Sequence, residues 1–250
     1  MEVIYMMALR QMKLFYRSRP RVLGSIAQPT LFLLALGLGF GPVFEQAGEG
    51  IDYIQYLTPG IIGMSLLFGS MMNGMSIIWD KKFGFLKETL VAPASRVGLL
   101  IGRCLGGAVT SILQGLIVFT LSTLLLGYRL SHIWVIPLFV AVMLIIALLF
   151  SLLGTVIAAK VDDMEAFPTV MNFMILPMFF LSGAIFPIEN LPSFVITITK
   201  FNPMTYGVNL LRGTMNLEYS LISLLDLGVL IILISILLGI GSSVFQKIET

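Results

Sequence analysis

The stretch WDKKFGFLKETLVAPASRVGLLIGR, residues 79–103, divides this chain. It is the one long run of charge set between two strongly apolar segments. Lys81, Lys82, Lys87, Arg96 and Arg103 make it basic, beside Asp80 and Glu88. Phe85, Leu86, Thr89 and Leu90 fall on one face of a short helix, and Lys87 and Glu88 point elsewhere. Pro93 would end that helix. An apolar knob with a charged flank suits a socket on a partner protein. The stretch reads as a loop that receives force from a partner and hands it to the helices on either side.

Everything around this loop is built for lipid. The 250 residues are 58% hydrophobic and 11% charged, with a mean hydropathy of +1.00. Soluble domains carry about 25% charged residues. The single cysteine, Cys104, leaves no internal disulfide. With one histidine, His132, and no Cys/His cluster, no metal site is expected. The whole of 1–250 is expected to form one membrane domain.

The spans flanking the loop (80–103) are 57–79 and 104–127. On the N-terminal side, 22–41 has about the 20 residues that a hydrocarbon core requires, and Pro29 would bend it. Residues 1–21 carry Arg10, Lys13, Arg17, Arg19 and Arg21. The first three share a helical face, while Val3, Ile4, Met7 and Leu14 offer apolar bulk. A basic amphipathic helix on the inner membrane surface is expected. On the C-terminal side the spans are 133–159, 167–188 and 221–245. The first apolar run begins too late and is too long for a cleavable signal.

Of the fifteen Lys and Arg residues, only Arg129, Lys200 and Arg212 fall on one side of this arrangement. The other twelve share the opposite side with both termini, which the positive-inside bias places in the cytosol. Residues 189–220 are less regular. Their apolar runs are too short to span, and bare backbone is costly in lipid. Two short helices dipping into the outer leaflet, split at Asn202-Pro203, satisfy both constraints. Pro187, lacking an N–H, would end the fifth span beside Phe186. The fold class expected is an all-α polytopic membrane protein. It has six transmembrane helices, an N-terminal amphipathic interfacial helix and short re-entrant outer helices between spans five and six.

No catalytic constellation stands out. Asp162, Asp163 and Glu165 read as a solvated turn, and His132 has no serine placed with it. No GxxxxGK[ST] phosphate loop occurs, so any ATP would be bound by another chain. Asn73, Gln114, Asn172 and Asp226 are mild for intramembrane polar groups, which speaks against ion coupling. Small residues recur at four-residue spacing at Gly37/Gly41, Gly98/Gly102/Gly106 and Ser235/Gly239/Ser243. They let helices approach closely, without pointing to any one interface.

Three motifs carry a family resemblance: KKFGFLKETLVAPASR in the basic loop, FLSGAIFPIENLP at 180–192, and NPMTYGVNLLRG at 202–213. With the six-span layout they resemble the ABC-2 family of transporter membrane subunits, especially its drug-export branch with the daunorubicin-resistance permeases. Asp80-Lys81-Lys82 departs from the Glu-Arg frequent in that family. The resemblance implies a dimer of this chain around a central path, with two ATP-binding cassette subunits docked on the cytosolic side of the cell membrane. It makes Phe85, Leu86, Lys87, Glu88, Leu90 and Pro93 the coupling helix. Phe186, Pro187, Asn202 and Pro203 become part of the outer gate. The implied function is export of a drug, lipid or lipid-linked glycan. No cofactor is expected in this chain, since ATP and magnesium belong to the partner. Membrane lipid is an expected partner and nucleic acid is not. The alternatives are an ATP-independent carrier or channel, or a membrane assembly factor without transport.

Overall fold

Hydropathy runs on through most of this chain, so polar caps and glycines decide where its helices begin and end. The computed structural model describes residues 2–46, 52–85, 95–161, 163–188, 192–217 and 221–247. All regular structure among them is helical: α1 (Glu2–Arg17), α2 (Arg19–Gln46), α3 (Tyr53–Met72), α4 (Met75–Lys82), α5 (Arg96–Leu126), α6 (Ile136–Lys160), α7 (Ala166–Phe180), α8 (Ser193–Phe201), α9 (Pro203–Asn216) and α10 (Leu221–Lys247). A 3-10 turn, Ile133–Val135, leads into α6.

The caps can be read residue by residue. The Asp52 carboxylate accepts from the Ile54 and Gln55 amides at 3.0 and 3.3 Å, which starts α3 ahead of the expected 57. Ser95 Oγ accepts from the Gly98 amide at 3.1 Å and starts α5 at Arg96. Arg96 and Arg103 are therefore helical, and the loop does not extend to 103 as expected. At the other end of α5, Gly127 takes φ +70°, and the Tyr128 amide bonds back to Ser122 O at 3.2 Å.

Five stretches among the described residues are long and apolar enough to cross a membrane: Val22–Phe44, Tyr53–Lys82, Arg96–Leu126, Ile133–Lys160 and Ser223–Phe245. Tyr53–Lys82, which comprises α3 and α4, is the centre of the bundle. Of its most apolar part 72% is buried within the protein, against 17% for Val22–Phe44 and Ser223–Phe245. Glycines allow this close packing. A side chain at Gly74 would run into the Gly154 carbonyl of α6, and one at Gly154 into Met71 of α3. Around them Phe139, Phe150, Phe167 and Phe179 are fully buried.

Within the expected fifth span, 167–188, the helix is shorter than the span. Helix α7 has 15 residues and stops at Phe180, well before Pro187. Pro177 has already removed one ladder donor, and Ser182 Oγ caps the Phe179 carbonyl at 2.6 Å. Gly183 then turns the chain at φ +74°, a conformation glycine adopts without steric penalty. Pro187 lies in the irregular stretch beyond.

Residues 193–217 hold α8 and α9, which meet at Asn202. The Asn202 side chain accepts from the Met204 amide at 3.0 Å, and Pro203 occupies the first turn of α9. α8 leaves Phe194 and Phe201 exposed, whereas α9 buries Met204, Val208, Leu211 and Met215 against its neighbours.

Candidate functional site

The two ends of the basic loop are fastened to the helix bundle. At the N-terminal end α4 presents Asp80, which is 7% exposed. The Arg10 guanidinium of α1 grips it with both nitrogens, at 2.9 and 2.6 Å. Arg103 of α5, 3% exposed, donates to the same carboxylate at 2.5 Å. Two-pronged contacts of this kind combine strength with fixed orientation. Removing one member of a buried ionic set is costly, because it leaves another charge uncompensated. Next to Asp80, Lys81 Nζ donates to the Ala159 carbonyl in the last turn of α6 at 2.5 Å. Beyond the loop, Arg96 donates to the Phe245 carbonyl near the end of α10 at 3.1 Å. Both cations meet helix C-terminal carbonyls, where the helix dipole favours positive charge.

The N-terminal helix forms as expected, and the same geometry shows what one of its faces meets. Ile4, Met7, Ala8 and Gln11 of α1 pack onto Gly102 and Gly106 of α5. A Cβ at Gly102 would lie 2.8 Å from both Ile4 O and Met7 Cβ, and one at Gly106 would lie 2.6 Å from Gln11 Cβ. Much of the apolar face expected to meet lipid is thus turned onto protein, and Met7 and Gln11 are buried. Gln11 Nε2 also donates to Ser76 Oγ of α4 at 2.9 Å.

Of the six residues expected in the coupling helix, Phe85 is described. It is half-exposed, with the Arg10 guanidinium carbon 4.2 Å from its ring centre. Leu86, Lys87, Glu88, Leu90 and Pro93 lie outside the described residues.

The four residues expected at the gate gather at the opposite end of the bundle, with unequal surroundings. Asn202 is buried; besides capping α9, it donates to Met178 O at 2.6 Å, which ties the α8–α9 junction to α7. Pro203 serves as the helix start. Phe186 is half-exposed and packs edge-on against Phe40 of α2, with ring centres 6.2 Å apart. Pro187 has no capping role. The irregular turn 181–188 is held instead by residues the sequence did not single out for this site. Tyr56 donates to Gly183 O at 2.8 Å. Arg212 of α9 donates to the same oxygen at 3.1 Å, with its guanidinium carbon 3.8 Å from the Tyr56 ring centre. Gly60 lets the Ala184 backbone press against α3.

Between these ends lies a cavity of about 910 Å³. Its loop end is walled by Arg10, Leu14 and Phe15 of α1 and by Met75, Trp79 and Asp80 of α4. Further along it is lined by Gln28 and Pro29 of α2, Phe68 of α3, Gln114 of α5 and Asn172 of α7. Apolar walls with a few polar groups are the usual make-up of a small-molecule site.

A polytopic helical membrane protein with this cavity and this anchored basic loop belongs among the membrane-embedded transport proteins. The model of the family described as ABC-2 type transporter matches residues 2–216, and this chain belongs to that family. Membership implies an ATP-binding cassette subunit as partner. The chain is similar to Nodulation protein J of Rhizobium leguminosarum bv. viciae, 27% identical over 90% of this chain and 86% of the relative. It is also similar to the Putative transport permease ycf38 of Cyanophora paradoxa, 30% identical over 76% of this chain and 66% of the relative. The Inner membrane transport permease YadH of Escherichia coli is 30% identical over 72% of this chain and 69% of its own length.

The ionic trio of Arg10, Asp80 and Arg103 was hidden in the sequence because Arg10 and Asp80 stand 70 residues apart. One local signal existed: Asp80 is an acidic residue at the membrane edge of an otherwise basic run. An ionisable group at such a boundary needs a partner.

Proposed function

We propose that this chain is the membrane-spanning permease subunit of an ATP-binding-cassette exporter. It moves a hydrophobic or amphipathic substrate, of the drug, lipid or lipid-linked glycan kind, out of the cell. A separate subunit hydrolyses the ATP, and a second copy of the chain completes the transporter. The chain crosses the cell membrane six times, with α7 and the turn after it forming the fifth crossing, and both termini lie in the cytosol.

The observation that carries this reading is the fastening of the basic loop. Asp80, Lys81 and Arg96 bind its two ends to α1, α5, α6 and α10. A force applied to the loop therefore reaches four helices through short polar contacts. The cavity supports the substrate class. It starts beside the loop and is mostly apolar, with Gln28, Thr110, Gln114 and Asn172 available to a polar head.

The decisive experiment alters the loop and leaves the lipid-facing helices alone. If Phe85, Leu86 and Leu90 fill a socket on the ATPase, Leu90→Asp places an unpaired carboxylate in an apolar seat. Co-purification with the ATPase and substrate-stimulated ATP hydrolysis in reconstituted complexes should both be lost, while the permease still inserts. Normal coupling and export in this variant would show that the loop does not transmit force.

A further inference from the structure

We propose that Arg10, Asp80 and Arg103 are positioning residues that clamp α1, α4 and the first turns of α5 into one body, whose movement opens and closes the cavity beside it. This rests on the exporter reading given above.

Three observations meet here. First, α1 and α4 are joined through one buried carboxylate. Asp80 takes three short contacts from two arginines on different helices, and the Gln11–Ser76 contact adds a second bond between α1 and α4. Seating of α1 on Gly102 and Gly106 closes the three-helix set. Second, α4 is separated from α3 by a break at Asn73–Gly74. There the helical bonds become three-residue turns: Asn73 to Ser70, Gly74 to Met71, Ser76 to Asn73 and Ile77 to Gly74. Such a stretch mid-span often marks a hinge. Third, the clamped helices supply two walls at the loop end of the cavity, with Arg10, Leu14 and Phe15 on one and Met75, Trp79 and Asp80 on the other, beside Ser18 and, at the start of α2, Pro20. A pull on the loop acts first on α4. Through Asp80 it carries α1 along, and the cavity changes its mouth as a unit.

Arg10→Gln isolates the clamp. Asp80 keeps Arg103 as its ionic partner, so no lone carboxylate is left buried. Spin labels at positions 13 and 82, in a chain whose Cys104 is replaced, report the distance between α1 and α4 in lipid nanodiscs without any ATPase. The native chain should give a narrow distribution and Arg10→Gln a broad one. In the full complex the 13–82 distance should be the same with and without ATP, while both positions shift relative to a label at 133. Transport per ATP hydrolysed should fall several-fold in Arg10→Gln and recover in part in Arg10→Lys, which keeps the charge and loses the two-pronged grip. A 13–82 distance that itself changes with ATP would overturn the single body. Unchanged transport per ATP in Arg10→Gln would overturn the role in coupling. Absence of ATP-driven transport in the native complex would sink the exporter reading instead, and the nanodisc distances would still judge the clamp.

Discussion

Gly102 and Arg103 are neighbours in the sequence with different work to do. Gly102 has no side chain because α1 occupies that space; Arg103 reaches the Asp80 carboxylate. Neither role follows from spacing, since Gly102 answers to the helix that begins at Glu2 and Arg103 to a carboxylate on α4. Gly102→Ala would push a methyl against Ile4 O and Met7 Cβ at 2.8 Å. Backbone cannot yield as a flexible side chain does, so the overpacking should cost about 1–3 kcal/mol. Hydrogen exchange of the amides of α1 should speed up in this variant, with those of α3 unaffected. Equal protection of α1 in both proteins would show that the glycine contact is not what seats the helix.

At the level of the element, helix ends were the least legible feature. Pro187 is the obvious stop signal near residue 180, yet Gly183 and Ser182 terminate α7. The proline reading assigned the end to a missing donor. The structure assigns it to a left-handed turn anchored by Tyr56 and Arg212. Two substitutions separate these causes. Pro187→Ala should leave the end of α7 at Phe180, with no added helix by circular dichroism. Gly183→Ala should destabilise the protein by about 1–2 kcal/mol, the cost of a Cβ in the left-handed region, as read by thermal unfolding in detergent. Helix growth in Pro187→Ala would restore the proline as terminator.

For the whole molecule, the charge pattern and the contacts agree on one point. α1, the loop ends, the last turn of α6 and the end of α10 gather at the same end of the bundle, where Arg10 meets Asp80, Lys81 meets Ala159 and Arg96 meets Phe245. The proposed topology puts that end in the cytosol, as the positive-inside bias favours. Exposed positions test it: in a chain lacking Cys104, a cysteine at Ser193 should react with an impermeant thiol reagent in sealed cells, and one at Lys82 should not. Labelling at 82 from outside would invert the topology.

Composition and the long apolar runs were enough to make this a helical membrane protein, because a continuous apolar run of about 20 residues spans the hydrocarbon as a helix and a helix pairs its backbone groups within the segment. Turn chemistry at Asn202-Pro203 was legible for a similar reason: an N-capping asparagine before proline acts locally. Three motifs were enough to point to the family. Tertiary structure alone decided which helix is central, where α7 stops, and that α1 is bound to protein along the face expected to meet lipid. Those outcomes depend on pairs distant in the chain, Gly102 with Ile4, Arg10 with Asp80, and Tyr56 with Gly183. A contact of this kind forms only after several helices have packed, so no window of sequence contains it.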